Sequence, residues 1–283
     1  MAEFDDRIEA ATGTAVVDRR ELEGGQVGSV HRIELADSRV IVAKTGETPL
    51  TVEAQMLEYL AVHSELPVPT VYAASDDLLL IEYIRDDGEL TPAVERDLAD
   101  RLVALHGVSA HAYGFPFRTL SGTLAQPNPW TESWIRFFRD QRLGYITELA
   151  HDADRLPDTI YRRLSAVLAD LETLLIEPDA PALIHGDVWR QNLLIDGDRE
   201  RIAAVIDPAT YYGHAEIELA YIRWTDTGGT AFFDRYHRQR PIDDGFHERR
   251  YLVYTLFPLV EHVWYFGTEY LNELRDQLDE LGY

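Results

Sequence analysis

Hydrophobic and polar positions alternate with the period of β-strands through most of the N-terminal third of the chain. Residues 13–44 contain three such runs, separated by glycine-rich or polar turns. Residues 52–62 carry apolar positions at helical spacing, and Thr51 stands where an N-cap is expected. Two further apolar runs, 68–74 and 78–84, have the length of strands. The pattern predicts a five-stranded antiparallel sheet accompanied by one helix.

After Thr91 the period changes to about 3.6 residues, which is typical of amphipathic helices. Three long helices are predicted over 92–108, 130–150 and 160–177. Residues 181–207 interrupt them with two short apolar strands between polar turns, and helices return near residue 215 and continue to 281. The C-terminal part is therefore expected to be mainly helical.

This change of period divides the chain. We predict an α+β fold with a small β-rich N-terminal lobe at residues 1–84, a hinge at 85–90 and a larger helical lobe at 91–283. A length of 283 residues suits two lobes around a shared cleft, and no internal repeat is visible.

Composition narrows the range of functions. The chain has 50 acidic and 26 basic residues and a formal net charge of −24, which argues against nucleic-acid binding because that requires a basic face. Lys44 is the single lysine, so the remaining basic residues are all arginines. The acidic side chains of a surface with this composition repel one another at low ionic strength, and salt screens that repulsion. The composition therefore suggests a halophilic source, and an ordinary acidic protein is the alternative. In a chain depleted of lysine, a surviving lysine indicates a position that arginine cannot fill.

The chain has no cysteine, which excludes disulfides, thiolate nucleophiles and cysteine-bound metals. No apolar run is long enough to span a membrane, and the acidic N-terminus lacks the apolar core of a secretion signal. We therefore expect a cytoplasmic protein that does not contact membranes. The 10 histidines form no zinc-binding pattern.

The clearest chemical motif is His185-Gly186-Asp187, followed by Asn192 and Asp207. Phosphoryl transfer to an alcohol needs a base for the hydroxyl proton, and an amide and a carboxylate to hold Mg²⁺ against phosphates. The interval from Asp187 to Asn192 equals that of the kinase catalytic loop H-R-D-x-x-x-x-N. We therefore predict a protein-kinase-like fold that uses ATP and Mg²⁺, with Asp187 as the catalytic base and Asn192 and Asp207 as metal ligands. For His-Gly-Asp alone, a capped turn between strands is the alternative.

Lys44 ends the strand VIVAK, and Glu53 lies on the helix that follows. In a kinase a strand lysine binds the α- and β-phosphates and a helix glutamate orients it. A lysine at the end of a strand is usually only solvated, but the absence of any other lysine disfavours that interpretation. Glu82, Tyr83 and Ile84 end the fifth predicted strand, where a hinge would present backbone hydrogen bonds to adenine.

A glycine-rich turn between the first two strands contains Gly24, Gly25, Gly28 and Ser29. Its backbone amides could cover the phosphates of a nucleotide. The segment is neither G-x-G-x-x-G nor a Walker A motif, and such a segment more often forms only a hairpin turn. Its place upstream of Lys44 favours nucleotide binding.

Four stretches together resemble the fructosamine (ketosamine) kinase family, a branch of the aminoglycoside and choline kinase-like enzymes. They are residues 114–143, 183–194, 205–222 and 259–271. The sequence HGD-x-x-x-x-N is shared by the wider superfamily. Trp189, the segment Gln126-Pro127-Asn128 and the sequence DPA-x-Y-Y-G carry the resemblance to this family in particular.

The resemblance implies ATP-dependent phosphorylation of a ketosamine sugar hydroxyl, typically the 3-hydroxyl of a fructosamine or ribulosamine, as a deglycation reaction. It also implies that Trp189 and His262 lie near the sugar, with Trp189 stacked on its face; a core tryptophan is the alternative. Where the family commonly has G-D-x-E-x-D, residues 213–218 read GHAEIE, which leaves the supporting acidic role of Glu218 open.

Two other functions stay open. A kinase of the same fold could act on another alcohol, such as an aminoglycoside, choline or homoserine. A pseudokinase would bind nucleotide without turnover, but the presence of Asp187 speaks against it because a scaffold needs no base. The sequence does not distinguish free from protein-bound ketosamines as acceptors, and it predicts no oligomeric state.

Overall fold

A computed structural model describes residues 2–22 and 28–283 of the protein. The N-terminal strands are β1 (Val16–Glu21), β2 (Gly28–Leu35), β3 (Val40–Gly46), β4 (Val71–Ser75) and β5 (Leu78–Glu82). They form one antiparallel sheet in the order β1-β2-β3-β5-β4. The predicted five-stranded antiparallel sheet is confirmed.

Two helices, rather than the one predicted, cover the faces of this sheet. They are α1 (Ala2–Thr12) and α2 (Leu50–His63). Because neighbouring side chains of a strand point to opposite faces, β3 places Ile41 in the hydrophobic cluster of Ile8 from α1 and Val42 in the cluster of Leu57 from α2. The pattern missed α1 because its apolar contacts to the sheet come from Phe4 and Ile8 within an otherwise acidic segment.

The start of α2 also differs from the prediction. Pro49 is the N-cap residue and Thr51 lies inside the helix, so the assignment of Thr51 as the N-cap was wrong. The Thr51 hydroxyl instead donates to Asp76 Oδ1 at 2.8 Å. The turn between β4 and β5 supplies this acceptor, and a local pattern could not reveal it.

The rest of the chain is mainly helical, as predicted. Its helices are α3 (Pro92–His106), α4 (Trp134–Phe138), α5 (Gly144–Asp152), α6 (Asp158–Leu174), α7 (Ala215–Trp224), α8 (Thr230–Gln239), α9 (Tyr251–Phe266) and α10 (Leu271–Leu281). Short 3₁₀ turns lie at Arg190–Asn192 and Gly267–Tyr270, and π-helical turns at Arg139–Leu143 and Phe246–Arg250. The helix predicted over 130–150 therefore begins at Trp134, and a π-helical turn divides it into α4 and α5.

Three short antiparallel strand pairs complete this part of the chain. β6 (Thr119–Ser121) pairs with β7 (Leu124–Gln126), β8 (Ala182–Ile184) with β11 (Tyr211–Gly213), and β9 (Leu193–Asp196) with β10 (Arg201–Val205). Residues 181–207 thus contain three strands rather than the two predicted, because the apolar residues after the catalytic motif fold back on themselves as the β9–β10 hairpin.

Residues 83–91 contain neither helix nor strand and lie against β9. Ile195 N donates to Asp86 Oδ1 at 2.9 Å, and Asp87 N donates to the Ile195 carbonyl oxygen at 3.1 Å. The hinge at 85–90 falls within this segment, and its role as the boundary between lobes stays a prediction. In the described part of the chain, no helix combines the length and the apolar character needed to cross a membrane.

Candidate active site

The catalytic loop begins where β8 ends, and its backbone depends on Gly186. Gly186 has φ = +89°, and a Cβ there would lie 2.3 Å from the carbonyl oxygen of Ala209. Only glycine accommodates both the left-handed conformation and this close approach. The preceding His185 is fully buried, and burial lowers the pKa of its imidazole to about 4. His185 is therefore neutral near neutral pH and serves to pack the start of the loop.

Asp187 lies beside Asn192, as their five-residue interval suggested. The Asn192 amide nitrogen donates to the Asp187 carbonyl oxygen at 2.9 Å and to Asp187 Oδ2 at 2.8 Å. Burial raises the pKa of Asp187 to about 7, although a hydrogen bond from Tyr221 opposes the shift and the charge of Asp207 adds to it. A carboxyl group with a pKa near neutrality is suited to take a proton from an alcohol.

Lys44, Glu53 and Asp207 form an ion cluster between the N-terminal sheet and the β9–β10 hairpin. Lys44 Nζ donates to Glu53 Oε1 at 2.6 Å and also contacts Asp207 Oδ1. Burial disfavours the charge on Lys44, but the two carboxylates outweigh burial and raise the pKa of its ammonium group. Asp207 has φ = +56°, a strained conformation for a residue other than glycine that is frequent at functional sites. The structure thus brings the only lysine to the helix glutamate and to a candidate metal ligand.

Asn192 and Asp207 lie close together because Ile206 N donates to the Asn192 carbonyl oxygen at 3.0 Å. The Asn192 amide nitrogen is committed to Asp187, so its oxygen is the atom that can bind a cation. Within residues 2–22 and 28–283, no group of three or more histidine or carboxylate side chains could hold a metal ion by itself. Two oxygen donors fit an Mg²⁺ ion that takes its other ligands from nucleotide phosphates and water.

The glycine-rich turn is only partly covered by the structure: Gly24 and Gly25 lie outside the described residues. Gly28 begins β2, and a Cβ on it would lie 1.9 Å from the carbonyl oxygen of Thr45. The hydroxyl groups of Ser29 and Thr45 share a hydrogen bond of 2.7 Å. Gly28 and Ser29 therefore lie against the strand that carries the lysine, and their contact with phosphates stays a prediction.

The residues predicted to contact adenine use their side chains elsewhere. The Glu82 carboxylate accepts hydrogen bonds from Thr70 N at 3.2 Å and from Thr70 Oγ1 at 2.9 Å. The Arg32 guanidinium lies over the ring of Tyr83, 5.1 Å from its centroid. Glu82 N also donates to the Thr70 carbonyl oxygen at 2.8 Å, so this backbone donor is not available to an adenine base. Contact of adenine with Glu82, Tyr83 and Ile84 stays a prediction.

A cavity of about 1260 Å³ opens beside Asp187. Trp189 and His262, the two residues assigned to the sugar, both line it. Trp189 is only partly buried, which favours a stacking role over a place in the core. His262 donates Nδ1–H to the Pro258 carbonyl oxygen at 2.7 Å, so its Nε2 is a hydrogen-bond acceptor. The sequence did not identify several aromatic residues that complete the wall, namely Tyr221, Trp224, Tyr265 and Tyr270.

Behind the cavity lies a buried arginine that the sequence analysis missed. Arg142 is fully buried and donates to Asn128 Oδ1 at 2.6 Å and to the Pro127 carbonyl oxygen at 3.0 Å. Its guanidinium lies 3.8 Å from the ring centroid of Tyr211, which lines the cavity. The Gln-Pro-Asn segment thus holds Arg142 in place, and Arg142 supports the cavity wall. The local sequence, RDQRL at 139–143, is mostly polar and gave no signal of this burial.

Glu218 occupies the supporting position that the sequence left open. Its Oε1 accepts a hydrogen bond from Gly186 N at 2.6 Å, and its Oε2 accepts one from His106 Nε2 at 2.8 Å. The other nitrogen of His106 lies 2.7 Å from the Tyr236 hydroxyl. This buried chain of hydrogen bonds fixes the catalytic loop to α3, α7 and α8.

Glu261 on α9 is a second acidic residue that the sequence analysis missed. Its side chain lines the cavity, the residue is 8 % exposed, and Oε1 has no hydrogen-bond partner in the described part of the chain. Burial, reinforced by the charge of Asp187, raises the pKa of the Glu261 carboxyl to about 8. Its signal in the sequence was a single carboxylate within the apolar run LVEHVW.

Comparison with known sequences agrees with this arrangement. The model of the fructosamine kinase family matches residues 1–282. A probable ketoamine kinase of Synechocystis sp. is 29 % identical over 276 residues, covering 94 % of this chain and 90 % of that protein. A chloroplastic protein-ribulosamine 3-kinase of Arabidopsis thaliana is 28 % identical over 239 residues, covering 81 % of this chain and 70 % of that protein.

Solved structures share the fold. A crystal structure from Thermobifida fusca, described as a candidate fructosamine-3-kinase, superposes with a TM-score of 0.88 at 28 % identity, and 99 % of each chain is covered. An aminoglycoside phosphotransferase bound to AMP-PNP and hygromycin B superposes with a TM-score of 0.67 at 17 % identity, covering 98 % of this chain and 96 % of that one. At this low identity, the similarity to the aminoglycoside phosphotransferase shows only a shared fold. The predicted α+β, kinase-like fold is confirmed, and the chain belongs to the fructosamine kinase family.

Proposed function

We propose that the protein is an ATP-dependent kinase that phosphorylates a sugar hydroxyl of ketosamines, the 3-hydroxyl of fructosamine or ribulosamine adducts. One observation carries the proposal: Asp187 lies at the wall of an aromatic cavity and is hydrogen-bonded to Asn192, a candidate metal ligand. Relatives named ketoamine kinase and ribulosamine 3-kinase support the same class of acceptor.

On the nucleotide side, Lys44 binds the α- and β-phosphates and Glu53 holds its ammonium group in place. Asn192 and Asp207 hold Mg²⁺ through oxygen atoms. Bound Mg-ATP supplies the phosphoryl group and the charge that stabilises its transfer. Lys44 contacts Asp207 directly, so the groups that would hold the phosphates and the metal already lie side by side. The enzyme therefore acts by orientation and electrostatics rather than through a covalent intermediate.

On the acceptor side, Asp187 orients the sugar hydroxyl and takes its proton onto a carboxylate oxygen. Trp189 stacks on the face of the sugar, and Nε2 of His262 accepts a hydrogen bond from another hydroxyl. The aromatic wall keeps water away from the phosphoryl group and so limits hydrolysis of ATP. The reaction serves deglycation, because phosphorylation makes the sugar adduct unstable.

An ADP-release assay tests the proposal with fructosamines and ribulosamines, and with an aminoglycoside, choline and homoserine as competing acceptors. It is run at low and at high salt because of the acidic composition. We expect ADP release above background with the ketosamines alone. Release with only another alcohol would identify a kinase of the same fold with a different acceptor, and would overturn the proposal.

The variant Asp187→Asn separates a kinase from a pseudokinase. It removes the base and keeps the shape of the side chain, so turnover should be abolished while ATP still binds. An unchanged rate would exclude Asp187 as the base. If neither the natural protein nor the variant released ADP with any acceptor, although both bound ATP, a non-catalytic nucleotide-binding role would replace the kinase.

A further inference from the structure

The Glu261 carboxyl group lies in the cavity wall, and it forms no ion pair in the described part of the chain. One oxygen, Oε1, is buried and has no hydrogen-bond partner in the described part of the chain. Burying a carboxyl group is unfavourable unless a hydrogen bond or an opposite charge compensates it. Such a group in the wall of a substrate cavity indicates that its partner belongs to the substrate.

The buried cation Arg142 makes no hydrogen bond to Glu261. Arg142 uses its guanidinium to donate to the carbonyl oxygens of Pro127 and Gln141 and to Asn128 Oδ1. The same group lies over the ring of Tyr211. The charge of Arg142 and hydrogen bonds from Ser121 and Gln126 oppose the raised pKa of Glu261, but burial and the charge of Asp187 outweigh them. In the described part of the chain, Oε1 of Glu261 is thus left without a hydrogen-bond donor, and no cation is paired with its carboxyl group.

The cavity as a whole favours a cation. Five carboxylate side chains line it, and no lysine or arginine does so in the described part of the chain; the five are Glu47, Asp187, Glu218, Glu261 and Glu273. Glu218 is committed to Gly186 and His106, and Asp187 is required by the reacting hydroxyl. Aromatic side chains such as Trp189 and Trp224 add faces on which a cation is stabilised.

The chemistry of the acceptor supplies the matching group. In a ketosamine the nitrogen is attached to C1 and the reacting hydroxyl to C3, so the two groups are near neighbours. Asp187 and Glu261 line the same cavity, so one ligand bound there can reach both carboxyl groups. An alkylamine nitrogen at C1 is protonated at neutral pH, and it carries both the charge and the donors that Glu261 lacks.

We propose that Glu261 binds the protonated amino nitrogen of the acceptor and thereby makes a positive charge, in addition to the sugar hydroxyls, a requirement for efficient phosphorylation. This inference rests on the proposed ketosamine kinase activity. Glu261 is a specificity-determining residue, whereas Asp187 acts on the reacting hydroxyl. A neutral sugar of the same shape binds poorly because it leaves the buried carboxyl group without its partner.

Two acceptors that differ in one atom test the proposal: a 1-alkylamino-1-deoxyfructose and the 1-O-alkylfructose in which an ether oxygen replaces the nitrogen. With the natural protein, kcat/KM from ADP release should be at least about tenfold higher for the amine. In Glu261→Gln this preference should disappear through a higher KM for the amine. Glu269→Gln makes the same side-chain replacement at an exposed site on the neighbouring 3₁₀ turn and should keep the natural preference.

The failure of this inference differs from a failure of the proposed function. Turnover of both acceptors at equal efficiency by the natural protein, or an unchanged preference in Glu261→Gln, would overturn the role of Glu261 but leave a ketosamine kinase. No turnover of any ketosamine would overturn both. If Glu261→Gln does not fold, as judged by its thermal transition, Glu261→Asp replaces it. The shorter side chain keeps the carboxyl group but holds it farther from the ligand, so the preference for the amine should fall.

Discussion

The hydrogen bonds of Glu218 predict a graded response to substitution. In Glu218→Ala, Gly186 N–H and His106 Nε2–H both lose their buried acceptor. Each unsatisfied buried donor costs about 1–3 kcal/mol, so the free energy of unfolding should fall by about 2–6 kcal/mol. Glu218→Gln keeps an oxygen for Gly186, and His106 can exchange its tautomer to face the new amide. We therefore expect a loss of only about 1 kcal/mol from Glu218→Gln.

Urea unfolding and ADP release together measure this response. In Glu218→Ala the catalytic loop loses its anchor at Gly186, and misplacement of Asp187 should lower kcat by roughly 100-fold with ATP affinity kept. The exposed Glu280→Ala on α10 is the control and should change neither quantity. If Glu218→Ala lost less than about 1 kcal/mol and kept its kcat, the loop would not depend on Glu218.

Four further predictions concern Lys44, Gly186, His214 and the net charge. Lys44→Arg should lower the rate of ADP release by roughly tenfold or more, because the guanidinium group does not fit between Glu53 and the phosphates. A rate equal to that of the natural protein would contradict the role of Lys44. Gly186→Ala should lower the free energy of unfolding by at least about 2 kcal/mol in urea titrations. Residue 186 has a left-handed backbone conformation, and a Cβ there would collide with the Ala209 carbonyl oxygen. An unchanged urea midpoint would show that this position is not strained by alanine. Burial, reinforced by the charge of Arg250, lowers the pKa of His214 to about 3, so its contribution to the free energy of unfolding is present above pH 6.5 and is lost as the pH falls. Between pH 7 and pH 5 the free energy of unfolding of His214→Gln should therefore fall by about 2 kcal/mol less than that of the natural protein. Equal losses in the two proteins would show that His214 does not cause the pH dependence. The net charge of −24 predicts that molar salt raises the urea midpoint, and a midpoint independent of salt would remove the halophilic hypothesis.

Much of the fold follows from local periodicity, because strand alternation and helical spacing are set by side chains close in sequence. The five-stranded sheet was predictable for this reason, even though β3 and β5 are covered on both faces. The N-terminal helix was not predictable from apolar spacing, since Ile8 is its only fully buried described side chain. Likewise, the π-helical turn at Arg139–Leu143 inserts an irregularity that the surrounding apolar pattern does not reveal.

Some residues of the candidate site could likewise be predicted from the sequence, and others could not. Asp187, Asn192 and Asp207 were identified because the chemistry of phosphoryl transfer fixes their types and their order in the chain. Lys44 was identified because composition left no other lysine. Glu261 was not identified, because its importance comes from its place in the wall of the same cavity as Asp187 rather than from its neighbours in sequence.

The same holds for Arg142, whose partners lie on a loop and on β11. Its burial depends on Asn128 and Tyr211, which are brought to it only by the folded chain. Residues of this kind support or shape the acceptor cavity, which is why the sequence alone identified the phosphoryl-transfer chemistry more fully than the recognition of the acceptor.

The most direct test of the central claim is phosphorus NMR of the product formed from ATP and a fructosamine. A ketosamine 3-kinase with Asp187 as its base gives a new sugar 3-phosphate signal that grows in step with ADP for the natural protein. The signal should be absent for Asp187→Asn, although that variant still binds ATP. Phosphorylation at the same rate by Asp187→Asn, or ADP formation without any phosphorylated ketosamine, would contradict this function.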